Sequence, residues 1–89
     1  MENVTLLQTG PEDFDVLLGD GRRRRVTLAH ATRRDLGLTG VPPLHVATEA
    51  VRILLERGEV LGGDDEPLDL GPALGRDPVG FEELRVRLA

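Results

Sequence analysis

The apolar residues of this chain change their spacing part-way along the sequence, and this change constrains the fold more than any other feature. Between residues 4 and 29, apolar and β-branched residues alternate with polar ones between turn sequences, which is typical of β-strands. Between residues 43 and 57, the polar residues recur every three or four positions, which is typical of an amphipathic helix. The sequence therefore predicts an α+β fold.

Three strands are predicted, over residues 4–9, 14–18 and 23–29, and they form an antiparallel meander. In the second hairpin, a two-residue turn would set apolar residues opposite charged ones on both faces of the sheet. A three-residue loop, with Gly21 in the left-handed conformation, instead places Phe14 opposite Val26. We predict this second register.

The clearest helix is predicted over residues 43–57, because Pro43 suits a first helical turn and Gly58 suits a C-terminal stop. Its polar stripe consists of His45, Thr48, Glu49, Arg52 and Glu56. The remaining side chains form a wide apolar face suited to covering a sheet. This face looks broad enough to exceed what packing within one small domain needs.

The rest of the chain reads as connectors and short elements. The connector over 31–42 has room for one helical turn at 32–36, and residues 68–70 are a candidate edge strand. A helix is predicted over 78–88, with Asp77 as its cap. The predicted fold is thus a three-stranded antiparallel sheet (β-β-β) packed by one main helix, plus a short C-terminal helix, in a single domain over residues 1–89.

The absence of five residue types limits the chemistry, since the chain has no Cys, Trp, Tyr, Ser or Lys. Thiolate sites, Schiff-base lysines, serine triads and lysine-containing phosphate loops are excluded. The adjacent carboxylates at 12–13 and 82–83 project at different angles and form no facing acid and base pair. We therefore expect no enzymatic activity, no catalytic residue and no cofactor.

Potential metal ligands are present but have the wrong spacing. The carboxylates over 64–69 do not match a calcium loop, so a solvated surface loop is predicted there. His30 and His45 lack the spacing of a zinc site, and both are expected to be structural or exposed. No metal site is predicted.

Positive charge is concentrated in one stretch, since residues 21–34 hold six arginines and no acid. This window carries +6, and the remaining five arginines and sixteen acidic residues carry −11. Guanidinium groups bind phosphate in a bidentate manner, so the six arginines are a candidate anion-binding site. They are Arg22, Arg23, Arg24, Arg25, Arg33 and Arg34.

Strand geometry favours a simpler interpretation of the first four arginines. Alternation sends Arg23 and Arg25 to one side of the sheet and the other two to the opposite side. We expect a solvated hairpin whose arginines pair with Asp13, Asp15 and Asp20.

Sequence patterns of nucleic-acid-binding domains are incomplete. Residues 32–58 resemble a helix-turn-helix, but two prolines at 42–43 fall where base contacts would begin, so a core-covering helix is favoured. The segment 37–40 has the glycine spacing of a KH-domain loop without its basic residues, and aromatic stacking platforms are missing. Nucleic-acid binding is therefore possible but disfavoured.

The segments FDVLL (14–18), RVTL (25–28) and EAVRILLER (49–57) follow one another in an order that resembles small uncharacterised bacterial proteins built as a hairpin followed by one helix. More remotely, the order is similar to the strand-strand-strand-helix layout of HicB-type antitoxins. The resemblance implies a fold layout and no functional residue.

These observations predict a non-enzymatic protein-interaction module, whose partner is another protein or a second copy of the chain. The alternative is a nucleic-acid-associated protein that uses the arginine-rich hairpin. The N-terminus has no basic region typical of a secretory signal, and no apolar run is long enough to span a membrane. A cytoplasmic location without membrane association is expected.

Overall fold

A mixed four-stranded sheet with helices packed on one of its faces forms the architecture of the computed structural model. The structure describes residues 4–19, 21–58, 61, 66–76 and 79–88. The elements in chain order are β1 (Val4–Gln8), β2 (Asp13–Leu18), β3 (Arg23–Thr27), α1 (His30–Asp35), α2 (Pro43–Glu56), β4 (Leu68–Asp69), α3 (Leu70–Gly75) and α4 (Gly80–Leu88). The predicted α+β class is confirmed.

The predicted register of the second hairpin is confirmed. Strands β2 and β3 pair antiparallel with Phe14 opposite Val26 and Asp15 opposite Arg25. Gly21 has a φ of 89°, a conformation that costs glycine little because it has no Cβ. The turn and the hydrophobic pattern therefore agree on one pairing.

The prediction of a purely antiparallel three-stranded sheet is wrong, because a fourth strand extends the sheet. Strand β4 pairs parallel with β3, with Val26 opposite Leu68 and Thr27 opposite Asp69. Between these two strands the chain passes through α2, and such a crossover returns the chain in the same direction. The candidate edge strand at 68–70 is correct only for its first two residues.

The prediction of two helices is also wrong, because the described residues already form four. Helix α1 replaces the single helical turn expected at 32–36. Helix α3 was not expected, since its sequence LGPALG contains residues that usually mark turns. One cause of its formation is the cap, since the Asp69 carboxylate accepts a hydrogen bond from the Gly71 N–H at 3.2 Å. The other is burial, because Leu70, Ala73 and Leu74 pack into the core.

Helices α2, α3 and α4 bury their apolar residues together with one face of the sheet in one hydrophobic cluster. The largest fully buried side chains from the sheet are Phe14, Val16 and Val26. From α2 the cluster takes Val46, Ala47, Ala50, Val51, Ile53 and Leu54. The wide apolar face of α2 is thus used mostly inside the molecule, with Leu44 near its start left 39% exposed.

Helix α4 lies against α2 through a network of ion pairs as well as through Leu84. The Arg87 guanidinium donates hydrogen bonds to Glu56 at 2.7 and 2.9 Å and to Glu83 at 3.1 Å. The bond to Glu56 is the main cause of a raised pKa of Arg87, which keeps the group charged. Predicted residues Asp77 and Pro78 lie outside the described residues, and α4 begins at Gly80.

Candidate binding surface: the outer face and free edge of the sheet

The odd-numbered residues of β1, β2 and β3 project from the face of the sheet opposite the helices, because side chains alternate along a strand. We call this surface the outer face. Its residues are Thr5, Leu7, Asp13, Asp15, Leu17, Arg23, Arg25 and Thr27. Among them, only Asp15 is buried.

Two leucines on the outer face are exposed, with Leu7 at 50% and Leu17 at 37%. They lie on neighbouring strands, where Thr5 is the residue opposite Leu17. Sequence reasoning did not single them out, although a signal was present. Each strand contains two consecutive leucines, at 6–7 and 17–18, and alternation requires one of each pair to point away from the core.

An ionic cluster occupies the centre of the outer face. The Asp15 carboxylate lies 3.5 Å from the guanidinium nitrogens of both Arg23 and Arg25. Its side chain is only 11% exposed, because it lies between these two longer side chains. The outer face therefore combines exposed apolar surface with a charge cluster of formal net charge +1, which Asp13 on the same face balances.

Strand β1 is an edge of the sheet, and its outward side has no partner strand among the described residues. The Thr9 N–H donates to the Asp13 carbonyl at 2.9 Å, so the odd positions of this strand pair with β2. Because antiparallel pairing alternates, the backbone N–H and C=O groups of Val4, Leu6 and Gln8 point away from the sheet. These groups form an exposed template for another strand.

The sequence VTLLQ of β1 carries no charge, no proline and no glycine. Charged residues and prolines are the usual means by which edge strands avoid pairing with other chains. By contrast, β4 at the other edge is only two residues long. Of the two edges, β1 is the one able to accept a further strand.

The six arginines predicted as an anion-binding site are distributed over two regions. Arg23 and Arg25 lie on the outer face beside Asp15, whereas Arg24 projects toward the helix side and donates to the Arg23 carbonyl at 2.9 Å. Arg22 precedes β3 in the hairpin loop.

Arg33 and Arg34 lie in α1, beyond the opposite end of β3, and that strand alone spans about 13 Å at 3.3 Å per residue. Arg33 contacts the His30 ring nitrogen Nδ1 at 3.1 Å, and Arg34 lies 3.8 Å from Asp35. The structure brings Arg23 and Arg25 together around one carboxylate, and it places Arg33 and Arg34 elsewhere.

The structure also locates the two histidines and part of the acidic loop. His30 and His45 are both exposed, in α1 and α2. Of the acidic loop, Asp64 and Asp65 lie outside the described residues, and Asp69 caps α3. Within the described ranges no cluster of three or more His, Asp or Glu residues could hold a metal ion.

A shallow groove of about 420 Å³ lies between α1, α3 and α4, with Thr32, Leu36, Pro72 and Phe81 in its walls. Its bottom is formed where α1 and α3 approach closely, since a Cβ at Gly71 would lie 2.8 Å from Thr32 Oγ1. The groove is open and presents few polar groups. None of the described helices combines the length and the apolar character needed to cross a membrane.

No family model, curated protein or solved structure matches the chain. The candidate surface therefore depends on its own geometry alone.

Proposed function

We propose that this chain is a non-enzymatic protein-interaction module that binds its protein partner through the outer face and free edge of its sheet. The observation that carries the proposal is the exposure of Leu7 and Leu17 on the one face of the sheet that no described element covers. Exposed apolar residues next to polar ones are typical of binding surfaces. The missing nucleophiles support a binding role rather than catalysis.

The charge balance of the outer face supports the same role. Asp15 pairs with Arg23 and Arg25, and with Asp13 the formal charges of the outer face sum to zero, so no net charge is buried when a partner covers this face. An extended partner segment could also add to β1 by backbone hydrogen bonds.

The experiment compares three forms of the chain. Wild type, the Leu7→Lys/Leu17→Lys variant and the control Val86→Lys are immobilised and exposed to a lysate of the source cells. Val86 is 69% exposed on α4 and lies away from the sheet, so its replacement adds a lysine to the surface without altering the outer face. Light scattering on each purified form shows whether it self-associates.

We expect wild type and Val86→Lys to bind the same partner, which is another protein or the chain itself, and the double variant to lose it. The proposal is overturned if wild type is monomeric and retains nothing that the double variant does not also retain. Circular dichroism on all three forms checks that the fold is kept.

The alternative is a nucleic-acid-associated protein that uses the arginine hairpin. Its support is the local charge of +6 over residues 21–34. The acidic Asp15 between Arg23 and Arg25 and the position of the α1 arginines beyond the far end of β3 favour it less.

A further inference from the structure

The free edge of β1 fits a second copy of the same strand. This inference depends on the proposed function and specifies its partner. The outward backbone groups belong to Val4, Leu6 and Gln8, which are spaced symmetrically about Leu6. A two-fold axis through Leu6 therefore places every outward N–H and C=O of one strand opposite a complementary group of the other.

We infer that two copies of the chain associate by antiparallel pairing of β1 with β1, with Leu6 of one copy opposite Leu6 of the other. In this register Val4 lies opposite Gln8 of the second copy, and Thr5 lies opposite Leu7. The sheets of the two copies join into one. All five residues of the strand are paired, which a register shifted to either side does not achieve.

Charge within β1 does not oppose pairing with a second copy. The chain carries a formal net charge of −5, but no charged residue lies within β1. Self-pairing therefore brings no like charges opposite each other along the strand. In the symmetric register, the outward backbone groups of β1 are complementary to those of β1 in the second copy.

Side chains on the outer face support the same register. Leu7 is half exposed in the single chain. In the dimer it lies opposite Thr5 of the second copy and diagonally across from Leu7 of the second copy. Such cross-strand neighbours are within reach of each other. Thr5 is already opposite Leu17 within its own copy, so the exposed leucines of the two copies fall on one continuous strip.

The test compares like charges with opposite charges at two residues that face each other across the proposed two-fold axis. In Thr5→Lys/Leu7→Lys, each lysine at position 5 lies opposite a lysine at position 7 of the other copy. In Thr5→Glu/Leu7→Lys, each glutamate lies opposite a lysine instead. Both variants alter the same two exposed positions, so they differ only in the sign of the charge at position 5 of each copy. Val86→Lys is the control for added charge elsewhere.

Sedimentation equilibrium from micromolar to millimolar concentration gives the dimer dissociation constant of each form. We expect wild type and Val86→Lys to dimerise, and the lysine pair to weaken association by about tenfold or more. The glutamate–lysine pair restores a dimer close to wild type, and its restored association falls with added salt.

Gln8→Pro is a second test of the proposed dimer, because it removes an outward N–H while leaving the hydrogen bonds between β1 and β2 intact. We expect this variant to stay folded by circular dichroism and to lose dimerisation.

Three results overturn the inference. They are a monomeric wild type, a dimer that the lysine pair leaves unchanged, and a charge-swapped variant as weak as the lysine pair. In each case the capture experiment still decides the proposed function separately, because a monomer that retains another protein through its outer face remains an interaction module.

Discussion

Single residues decide how closely the helices of this molecule approach each other. Gly80, the first residue of α4, lies against the carbonyl oxygen of Leu74 in α3, and a Cβ at this position would collide with that oxygen. The same Cβ would also lie 3.2 Å from a guanidinium nitrogen of Arg57. Since a backbone atom cannot move aside as a flexible side chain can, only glycine fits here.

Gly80→Ala is therefore expected to lower the free energy of unfolding by about 1–3 kcal/mol, as overpacking does in a well-packed interior. Denaturant unfolding measures the change. Gly40→Ala is the matched control, because a Cβ there meets nothing within 4 Å and the residue does not have positive φ. Its expected effect is within about 0.5 kcal/mol. Equal stability of Gly80→Ala and wild type would contradict the close approach of α3 and α4.

Among the elements, α4 is attached to α2 by charge as well as by apolar packing. The Arg87 side chain, 27% exposed, pairs with Glu56 and Glu83, and Glu49 lies 3.8 Å away. Arg57 of the segment after α2 adds a bond to Glu83 at 2.9 Å. Several charges held by one guanidinium contribute more than an isolated surface pair.

Removal of the central charge tests this attachment. Arg87→Gln is expected to lower the free energy of unfolding by about 1 kcal/mol, because the cation shared by three carboxylates is lost. Glu83 and Glu49 keep Arg57 and Arg52, but Glu56 loses both of its bonds to Arg87. The loss should shrink at high salt, which screens interactions between these charges. Arg85→Gln is the control, since Arg85 is exposed and bonds only to the Leu36 carbonyl at 3.3 Å in the described contacts.

Amide hydrogen exchange locates the effect of these two variants. We expect Arg87→Gln to accelerate exchange along α4 more than along β2 and β3. If both variants cost the same and neither loss responds to salt, the ion-pair network does not hold α4.

At the scale of the whole molecule, the distribution of charge decides whether nucleic acid is a plausible partner. The local +6 is set within a chain of net −5, and the fold separates the arginines of the hairpin from those of α1. A dispersed set of guanidinium groups neutralises fewer phosphates at one site.

We expect wild type and a variant with Arg22, Arg23, Arg24 and Arg25 replaced by alanine to bind duplex and single-stranded oligonucleotides equally weakly. The measurement is a salt titration of both forms by fluorescence anisotropy. Tighter binding by wild type, with a steeper dependence on salt, would favour the nucleic-acid-associated alternative over the proposed interaction module.

The sequence by itself determined the local parts of this fold. The register of β2 with β3 follows from Gly21 and the alternation of apolar residues, which act within one hairpin. The start of α2 at Pro43 and its end near Gly58, whose φ is 75°, follow from residues inside and next to the helix. These signals act over a few residues and need no distant contact.

Only the tertiary structure decided the rest. Strand β4 is two residues long and α3 is six. The sequence indicates an edge strand at 68–70 but not its parallel pairing with β3, and α3 has too little local signal to be recognised. Both depend on contacts with distant elements. The same holds for the candidate surface. Consecutive leucines show that one of each pair must face outward, but only the packing of α2, α3 and α4 on one side of the sheet leaves Leu7 and Leu17 exposed beside a free edge.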